Sequence, residues 1–382
     1  PPLLALALDR AVKLTIVGPE SALECGIVDR FREAGVPIFG PTKAAAEIET
    51  SKSFAKRLMT DAGVPTALAE MHTTVAGARA AVTRFGAPVV VKASGLAAGK
   101  GVIVCDTIAE AHSAIADMLE GNRFGTAGAE VLVEEFMEGE EVSMFAITDG
   151  HRFVLLPGLQ DHKRLLDGDG GPNTGGMGAY TPVSLEFSSA ALEVITPVLA
   201  AMVAAGRPFT GLLYAGLMLT AHGIRVVEFN CRFGDPETQA LMPVLELRPS
   251  LLELMRRVAT GEGLGDVATF AVESQACVTT VLAAAGYPDA PRSGDAIAIP
   301  ATESGEFVFH AGTARDGTGR LVTAGGRVLT VSAVGRDLAE AQRRSRALAE
   351  RVQFDGKQHR TDIGAREIAR SVARPSAGAP RD

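Results

Sequence analysis

Two oxygen-bearing side chains lie close together in the segment VVEFNCRFGDPETQ, residues 226–239. Glu228 and Asn230 alternate with apolar residues, so both point to one face of a predicted strand. Carboxylate and amide oxygens suit Mg²⁺, which prefers oxygen ligands and is often shared with substrate phosphates. Arg232 follows two residues later, where its charge can stabilise a transferring phosphoryl group. The segment therefore predicts a phosphoryl-transfer site, with Glu228 and Asn230 as metal ligands and Arg232 as a catalytic residue.

The same segment has a plainer interpretation. Asp235-Pro236 predicts a helix start, with Asp235 as N-cap and Pro236 at the first helical position. The segment can then be only a strand, a turn and a capped helix, with Glu228 solvated. Cys231 is expected to fill space rather than bind metal, because no soft ligand accompanies it.

A lysine and a glycine-rich loop form a second candidate site. Lys92 lies in the apolar run PVVVKA, and GLAAGKG follows at residues 95–101. Glycines let the backbone approach phosphate oxygens and donate N–H groups, while lysine supplies charge. The loop does not fit GxxxxGK[ST], because the gap is one residue short and Gly101 replaces the hydroxyl residue. It predicts phosphate binding of another kind or, alternatively, a surface turn.

Paired carboxylates follow a predicted strand in VLVEEFMEGEEVS, residues 131–143. Such charges can simply prevent an exposed strand edge from pairing with another chain. In the alternative, an adenine lies against the backbone of residues 135–137, and a carboxylate such as Glu141 accepts hydrogen bonds from the ribose hydroxyls.

Charged residues also accompany a long glycine-rich stretch, in QDHKR (160–164) and GPNTGGMGAY (171–180). A long loop of this kind is either disordered or functional. Its lysine and arginine can receive an anionic substrate, and Asn173 with the glycine backbone can shape the pocket. His162 has no nucleophile beside it to activate, so we expect it to be solvated.

Composition excludes several classes of protein. The 37 basic and 45 acidic residues give a net charge of −8, which argues against a protein that covers a nucleic-acid backbone. The four cysteines form no metal-binding cluster and indicate a reducing cytoplasm. No apolar run approaches the ~20 residues that span a bilayer. GxSxG, HExxH and GxGxxG are absent, so hydrolase and dehydrogenase interpretations have no support.

The predicted elements place these residues near strand ends. A strand, a helix and a strand at 14–17, 21–34 and 37–39 are typical of a doubly wound α/β domain, of which only a piece is present. The other predicted elements are a two-part helix (42–63), strands (88–93, 102–105, 130–136), a helix opened by the capping box Thr107/Glu110, a helix kinked at Pro197 (188–205), a strand pair (212–219, 224–229), later strands (276–284, 328–333) and a last helix (337–352).

Taken in order, the motifs resemble those of the phosphoribosylamine–glycine ligases, a family of ATP-grasp enzymes. The resemblance extends from the neighbourhood of Thr15 to Gly364. The matching runs are FGPT (39–42), VKASGLAAGKGV (91–102), EEFMEGEE (134–141), QDHKR, GPNTGGMGAY, LYAGLM (213–218), EFNCRFGDPETQ (228–239), FHAGT (309–313), GGRVL (325–329) and DIG (362–364).

The resemblance implies a fold of the α/β and α+β classes. This is an ATP-grasp fold with a partial Rossmann-like N-terminal domain and a small C-terminal domain. Expected boundaries are 1–60 for the incomplete N-terminal domain, 61–274 for the ATP-grasp domain with a mobile lobe at about 70–138, 275–376 for the C-terminal α+β domain, and 377–382 for a frayed tail.

The activity implied is ATP-dependent ligation of glycine to 5-phosphoribosylamine, through glycyl phosphate, in purine (IMP) biosynthesis. ATP is the co-substrate and Mg²⁺ or Mn²⁺ the metal, held by Glu228 and Asn230. GLAAGKG would be a mobile phosphate flap, and Arg232 and Lys92 would be catalytic. The implied ATP-binding residues are Lys52, Lys92, Gly95, Gly99, Lys100, Gly101, Glu134, Glu135, Phe136, Met137 and Glu141. Our hypothesis for the substrate-binding residues is Asp161, Lys163, Arg164, Asn173 and Asp235.

The chain departs from the family pattern at two places. Family members begin with a strand and a GGREH-like turn that helps bind the phosphoribosylamine phosphate, and this chain lacks both, so we expect it to be truncated. At LYAGLM, where many ATP-grasp enzymes carry a metal carboxylate, Ala215 and Leu217 cannot bind metal. An inactive ATP-binding fragment and another ATP-grasp carboxylate–amine ligase stay as alternatives. A cytoplasmic monomer without nucleic-acid or membrane partners is expected.

Overall fold

The structure is a computed structural model that describes residues 2–95, 101–121, 128–185, 187, 189–265, 271–272 and 275–373. Contacts divide the chain into two compact units. The first unit comprises residues 1–156, 187–233 and 247–269, and the second comprises 157–186, 234–246 and 270–382. The predicted domain boundaries after residues 60, 274 and 376 stay predictions, and the predicted tail lies outside the described residues.

The helices and strands are numbered in chain order. The α-helices are α1 (Pro2–Asp9), α2 (Glu20–Glu24), α3 (Ile27–Glu33), α4 (Lys43–Thr50), α5 (Lys52–Asp61), α6 (Val75–Phe85), α7 (Ile108–Leu119), α8 (Thr196–Ala204), α9 (Glu237–Leu241), α10 (Leu251–Thr260), α11 (Leu338–Arg351) and α12 (Ala365–Ala373).

The strands before residue 182 are β1 (Thr15–Ile16), β2 (Ile38–Phe39), β3 (Ala69–His72), β4 (Val89–Ala93), β5 (Val102–Cys105), β6 (Val131–Glu135), β7 (Glu140–Thr148), β8 (Phe153–Leu155), β9 (Gln160–Asp161), β10 (Arg164–Leu166), β11 (Gly170–Asn173) and β12 (Gly178–Thr181). The later strands are β13 (Gly211–Thr220), β14 (Gly223–Asn230), β15 (Leu245–Glu246), β16 (Ala271–Val272), β17 (Ala276–Ala283), β18 (Glu306–His310), β19 (Thr313–Arg315), β20 (Leu321–Thr323) and β21 (Arg327–Gly335).

The first unit opens with the predicted strand–helix–strand sequence. β1 and β2 pair in parallel, as a crossover connection requires. The helix predicted over 21–34 is instead two helices, because Gly26 between α2 and α3 has a left-handed φ of 72°. The predicted two-part helix is confirmed, since Ser51 interrupts it in an extended conformation and caps α5 by accepting from the Phe54 N–H.

The glycine-loop hairpin belongs to an antiparallel four-stranded sheet in the order β3-β6-β4-β5. Its apolar face packs on α6 and α7 around a core that includes Val91, Ile115 and Val133. The predicted capping box is confirmed, since Thr107 and Glu110 cap each other's backbone N–H groups at the start of α7. The hairpin between β4 and β5 is confirmed as well, and residues 96–100 of its loop lie outside the described part.

A second four-stranded antiparallel sheet has the order β14-β13-β7-β8. Its core-facing residues share one apolar cluster with helices α3, α4, α5 and α8. The helix predicted to kink at Pro197 changes type there, because a π-helical segment, Ala191–Ile195, precedes α8 and Pro197 lies in the first turn of α8.

The second unit is built on a five-stranded antiparallel sheet in the order β18-β21-β17-β12-β9. Helix α11 covers this sheet with Ala341, Leu348 and Ala349, and Asp337 caps the helix by accepting from the Glu340 N–H. The strands predicted near 276–284 and 328–333 and the helix predicted over 337–352 are confirmed. Among the described helices, none is both long enough and apolar enough to cross a bilayer.

Candidate active site

A β-bulge in β14 sets the direction of the two predicted metal ligands. Gly216 on β13 pairs with Glu228, whereas the next residue of β13 pairs with Val226, so Val227 is an extra residue. Before the bulge Val226 is buried, and after it Phe229 is buried, which reverses the alternation of the strand. Glu228 and Asn230 consequently lie on the same half-buried face, as predicted.

Lys92 reaches this bulge from the other sheet of the first unit. Its Nζ donates to the Val227 carbonyl at 3.3 Å and lies 2.7 Å from Glu134 Oε2. The predicted phosphate lysine is therefore directly beside the strand that carries the predicted metal ligands. Its ammonium group is nearly buried, so its charge is weakly screened by water.

Lys52, at the first position of α5, shares this region. Burial lowers its pKa from the ordinary value, the charge of Glu228 opposes that shift, and the charge of Lys92 adds to it. Lys52 thus interacts electrostatically with both Glu228 and Lys92. The amide N–H of Lys52 also donates to the Ser94 carbonyl just after β4, which ties the start of α5 to the glycine-loop hairpin.

Arg232 lies between two acidic side chains. Its Nε donates to Glu20 Oε2 at 3.2 Å, and its Nη2 lies 3.5 Å from Glu49 Oε1. Glu49 also accepts from the Cys231 N–H at 2.7 Å, which fixes the turn after β14. Burial raises the pKa of Glu49 to about 7, against the opposing charge of Arg232 and the hydrogen bond from Cys231, and Glu228 contributes to the increase. The structure therefore brings Lys52, Lys92, Glu228 and Arg232 into one charged region.

The carboxylate of Glu134 forms a buried ion triad with two lysines. Its Oε1 lies 3.1 Å from Lys56 Nζ and its Oε2 lies 2.7 Å from Lys92 Nζ. Burial alone would raise the pKa of Glu134, but Lys92 and Lys56 outweigh it, and the pKa is below its ordinary value. Glu134 is predicted to contact ATP, and in the structure its carboxylate pairs with Lys92, the predicted phosphate-binding lysine.

The residues expected to contact adenine and ribose follow at the end of β6. The Glu135 carboxylate accepts hydrogen bonds from the Leu68 N–H at 2.9 Å and from Arg225 Nη1 at 2.6 Å, so it is already bonded within the protein. Phe136 is 39% exposed, and Glu141 lies on β7 opposite Met218. The backbone of residues 135–137 is thus at a half-open strand end, which fits a base-binding segment.

The glycine loop is described only at its two ends. Gly95 follows β4, and Gly101 accepts from the Ala93 N–H at 2.8 Å at the start of β5. Gly99 and Lys100, and with them the predicted flap, lie outside the described residues.

The predicted substrate residues of the second unit lie on or beside three short strands. Asp161 on β9 pairs with Ala179 of β12, and Arg164 on β10 pairs with Asn173 of β11. The Lys163 carbonyl accepts from the Thr174 N–H at 2.7 Å, and Arg164 Nη1 donates to the Gly171 carbonyl at 2.7 Å. These contacts hold QDHKR against the glycine-rich stretch.

Asp235 joins the same glycine-rich stretch through Arg327. Arg327 Nη1 donates to the carbonyls of Gly175 at 2.7 Å and Asp235 at 2.6 Å, and lies 3.4 Å from Asp235 Oδ1. The prediction that Asp235 is an N-cap is wrong: α9 begins one residue later than expected, Pro236 is the N-cap, and no side chain caps the helix. The Asp235 carboxylate instead accepts from Gln239 Nε2 and pairs with Arg327.

The expectation that His162 is solvated is wrong. Its ring is buried, and Nε2 accepts from the Gly364 N–H at 3.1 Å. Burial lowers its pKa to about 4, and the charge of Arg360 acts in the same direction. His162 is therefore a neutral structural side chain.

The sequence did not indicate three charged residues that lie around this region. Glu20, Glu49 and Lys56 are spread over the first 56 residues, in segments without a glycine motif. A signal was present for Lys56, which lies four residues after Lys52 and so on the same face of α5. Glu49 precedes the break at Ser51, and nothing local shows that it meets Arg232.

The donor set on β14 fits a magnesium ion. Glu228 and Asn230 offer one carboxylate and one amide, and Mg²⁺ typically takes one or two carboxylates together with water and substrate phosphates. Over the residues that the structure describes, no three His, Cys, Asp or Glu side chains gather as a metal site of their own. The arrangement therefore suits a metal that is shared with a nucleotide better than one enclosed by protein.

Profiles of one family match the chain in three consecutive segments. They are the N domain of phosphoribosylglycinamide synthetase at residues 2–49, its ATP-grasp (A) domain at 50–238 and its C domain at 277–366. A phosphoribosylamine–glycine ligase of Xanthomonas axonopodis pv. citri is 50% identical over 374 residues, 96% of this chain and 86% of its own length. One from Vibrio vulnificus is also 50% identical, over 375 residues with the same two coverages.

The chain belongs to the phosphoribosylglycinamide synthetase family. The crystal structure of phosphoribosylamine–glycine ligase from Thermotoga maritima agrees, with a TM-score of 0.78 and 38% identity over 85% of this chain and 81% of that one. The biotin carboxylase domain of Hydrogenobacter thermophilus 2-oxoglutarate carboxylase shares the fold alone, with a TM-score of 0.72 at 18% identity over 94% of this chain and 78% of that one.

Membership of the phosphoribosylglycinamide synthetase family confirms three predictions. The fold is ATP-grasp with mixed α/β architecture. The chain is a carbon–nitrogen ligase, and its function is in purine biosynthesis.

Proposed function

We propose that the chain joins glycine to 5-phosphoribosylamine at the expense of ATP, through glycyl phosphate, and that the charged region of the first unit carries the phosphoryl transfer. The observation that carries this proposal is the hydrogen bond from Lys92 Nζ to the Val227 carbonyl at 3.3 Å, which places the lysine directly beside Glu228 on β14. Lys92 near the end of β4, Glu228 near the end of β14 and Lys52 at the start of α5 supply the two cations and the carboxylate that a bound polyphosphate and its metal need.

In this proposal the nucleotide follows the strand ends of the first unit. Lys52 and Lys92 bind the phosphates, with the backbone at Gly95 and Gly101 and, beyond the described residues, Gly99 and Lys100. The adenine lies against the segment from Glu134 to Met137, including Phe136. The ribose hydroxyls donate to Glu141, which lies on β7.

Glu228 and Asn230 would hold Mg²⁺ or Mn²⁺, since both offer oxygen atoms on one face of β14. When bound, the metal neutralises phosphate charge. The protein's own side chains stabilise the remaining negative charge on the reacting groups.

The chemistry explains why cations must surround the reacting groups. A carboxylate is a poor acyl donor, because resonance stabilises it and oxide is a bad leaving group. Transfer of the γ-phosphoryl group to glycine forms an acyl phosphate and releases ADP, but this step brings two anions together. Arg232 and Lys92 stabilise the transferring group by charge, and the amine of phosphoribosylamine then attacks the acyl carbon and expels phosphate.

The second unit would bind the two small substrates through Asp161, Lys163, Arg164, Asn173 and Asp235. Support comes from the contacts of Arg327 with Gly175 and Asp235, which hold these segments in place. A cytoplasmic monomer without nucleic-acid or membrane partners is part of the same proposal. The free cysteines fit a reducing compartment.

The test is ADP formation by the purified chain with each substrate left out in turn. We expect ADP to form only when ATP, glycine and phosphoribosylamine are all present. MgATP binding without turnover would identify an inactive ATP-binding chain, and ADP formation with a different carboxylate would identify another ATP-grasp ligase. Either result would overturn the proposal.

A further inference from the structure

Lys56 is a buried lysine that does not belong to the proposed set of phosphate-binding residues. It lies one helical turn after Lys52 on α5, and its Nζ donates to Thr66 Oγ1 at 2.8 Å and to the Ala67 carbonyl at 3.0 Å. Its third contact is Glu134 Oε1 at 3.1 Å. These three acceptors use all three N–H bonds of the ammonium group.

The triad of Lys56, Glu134 and Lys92 carries a net positive charge in a nearly dry place. The three residues are only 5%, 3% and 5% exposed. One carboxylate would be neutralised by one lysine, and burying a second ammonium group is costly unless something compensates it. Burial lowers the pKa of Lys56, and the charge of Glu134 opposes that shift.

The two lysines of the triad are also connected by hydrogen bonds to the bulge in β14 that precedes Glu228. Thr66, which accepts from Lys56, donates through Oγ1 to the Val226 carbonyl at 2.9 Å. Lys92 donates to the carbonyl of Val227, the next residue. The two lysines are therefore attached, directly or through one hydroxyl, to consecutive carbonyls of the same strand.

We propose that Lys56 is a positioning residue for Lys92: by occupying one carboxylate oxygen of Glu134, it keeps Glu134 from neutralising Lys92 fully and holds the Lys92 ammonium group ready for nucleotide phosphates. This inference rests on the proposed nucleotide site. It separates two roles on α5, because Lys52 would touch phosphate whereas Lys56 acts through Glu134.

Removal of the Lys56 charge should change phosphate binding more than folding. In Lys56→Met, Glu134 keeps Lys92 as its partner, so no buried charge is left alone. The charge of the triad falls from +1 to zero, and both oxygens of Glu134 can turn to Lys92. Ligands with phosphates should lose affinity, whereas adenosine, which has none, should not.

The experiment is calorimetric titration of the whole chain with MgADP, a nonhydrolysable ATP analogue and adenosine. Lys56→Met is compared with Lys92→Met and with Arg57→Met, a matched control that removes an exposed cation from the next position of α5. We expect Lys56→Met to weaken both phosphate ligands by about tenfold or more, without a change for adenosine or in Arg57→Met. Lys56→Gln keeps hydrogen-bonding capacity without charge and should show the same selective loss of affinity. It replaces Lys56→Met as the test variant if the methionine variant folds poorly.

The outcomes separate this inference from the proposal beneath it. Unchanged MgADP affinity in Lys92→Met would remove the proposed nucleotide site itself. Weak binding in Lys92→Met with parent-like binding in Lys56→Met and Lys56→Gln would overturn the role of Lys56 alone. Equal losses for adenosine and MgADP would show that Lys56 only maintains the shape of the pocket, which also contradicts the inference.

Discussion

Arg232 forms an ion pair with Glu49, in which Nη2 lies 3.5 Å from Oε1. Glu49 also holds the backbone just before the arginine, by accepting from the Cys231 N–H. One buried carboxylate thus fixes both the side chain and the turn that carries it. An arginine held in this way can meet a transferring phosphoryl group with little reorganisation.

Loss of the Arg232 guanidinium should slow catalysis more than it weakens nucleotide binding. For Arg232→Ala we expect kcat to fall by about 10²–10³-fold, as when one transition-state donor is removed, with a smaller change in KM for ATP. Arg232→Lys should recover part of the rate. Arg84→Ala, which breaks an exposed pair with Glu70, serves as the control and should match the parent. Parent-like kcat in Arg232→Ala would remove this residue from the mechanism.

Glu49 should make stability depend on pH near neutrality. Its pKa is raised from 4.5 to about 7 in the folded chain, so the folded state binds the proton more tightly than the unfolded state does. The stability contributed by protonated Glu49 is fully present below pH 4.5 and is lost as the pH rises through about 7. Glu49→Gln cannot ionise and lacks this dependence.

Thermal unfolding of the metal-free, nucleotide-free chain between pH 5 and 8 measures this effect. The stability of Glu49→Gln relative to the parent should increase with pH across this range, by at most about 3 kcal/mol. Glu47→Gln on the same helix, whose carboxylate pairs with Arg207, is the matched control. A difference between Glu49→Gln and the parent that stays constant with pH would contradict the prediction.

The carboxylate of Glu228 should set the metal requirement. With Glu228→Gln, the magnesium concentration for half-maximal ADP formation should rise by about tenfold or more. Loss of a residue that only hydrogen-bonds to a metal ligand already lowers metal affinity by about tenfold or more, and Glu228 is proposed as a ligand itself. Asn230→Ala should shift it in the same direction. Glu193→Gln, an exposed position in the first unit, should have no effect. An unchanged magnesium dependence in both β14 variants would exclude the assigned ligands.

Gly139, between β6 and β7, should not tolerate a side chain. A Cβ there would lie 2.3 Å from the Leu219 carbonyl oxygen, which belongs to β13 and cannot move aside cheaply. Gly139→Ala should lower the free energy of unfolding by about 1–3 kcal/mol, as overpacking does. Gly18→Ala, with nothing within 4 Å of the added Cβ, should stay within about 0.5 kcal/mol of the parent. Denaturant unfolding of both variants decides this.

The sequence predicted those parts of the site that local chemistry specifies. Glu228 and Asn230 were placed on one face of a strand by alternation, and Lys92 was placed beside a phosphate loop by its glycines. The structure has Glu228 and Asn230 on one face, although this position occurs beyond a bulge at Val227 that no residue type announced. The phosphate-binding role of the loop after Lys92 stays a prediction.

Contacts between distant segments were beyond prediction. Lys56 meets Glu134 across 78 positions of the chain, since 134 less 56 is 78, and no local pattern encodes that pairing. His162 and Asp235 show the same limit, because the residues next to them in sequence do not indicate which distant segments they contact. Gly364, which donates to His162, and Arg327, which pairs with Asp235, both come from much later in the chain.

A crystal structure of the chain with magnesium and a nonhydrolysable ATP analogue tests the central claim most directly. We expect phosphate oxygens within hydrogen-bonding distance of Lys52 and Lys92, and a metal ion about 2.0–2.1 Å from oxygens of Glu228 and Asn230. A nucleotide bound elsewhere, or phosphates that contact neither lysine, would contradict the account.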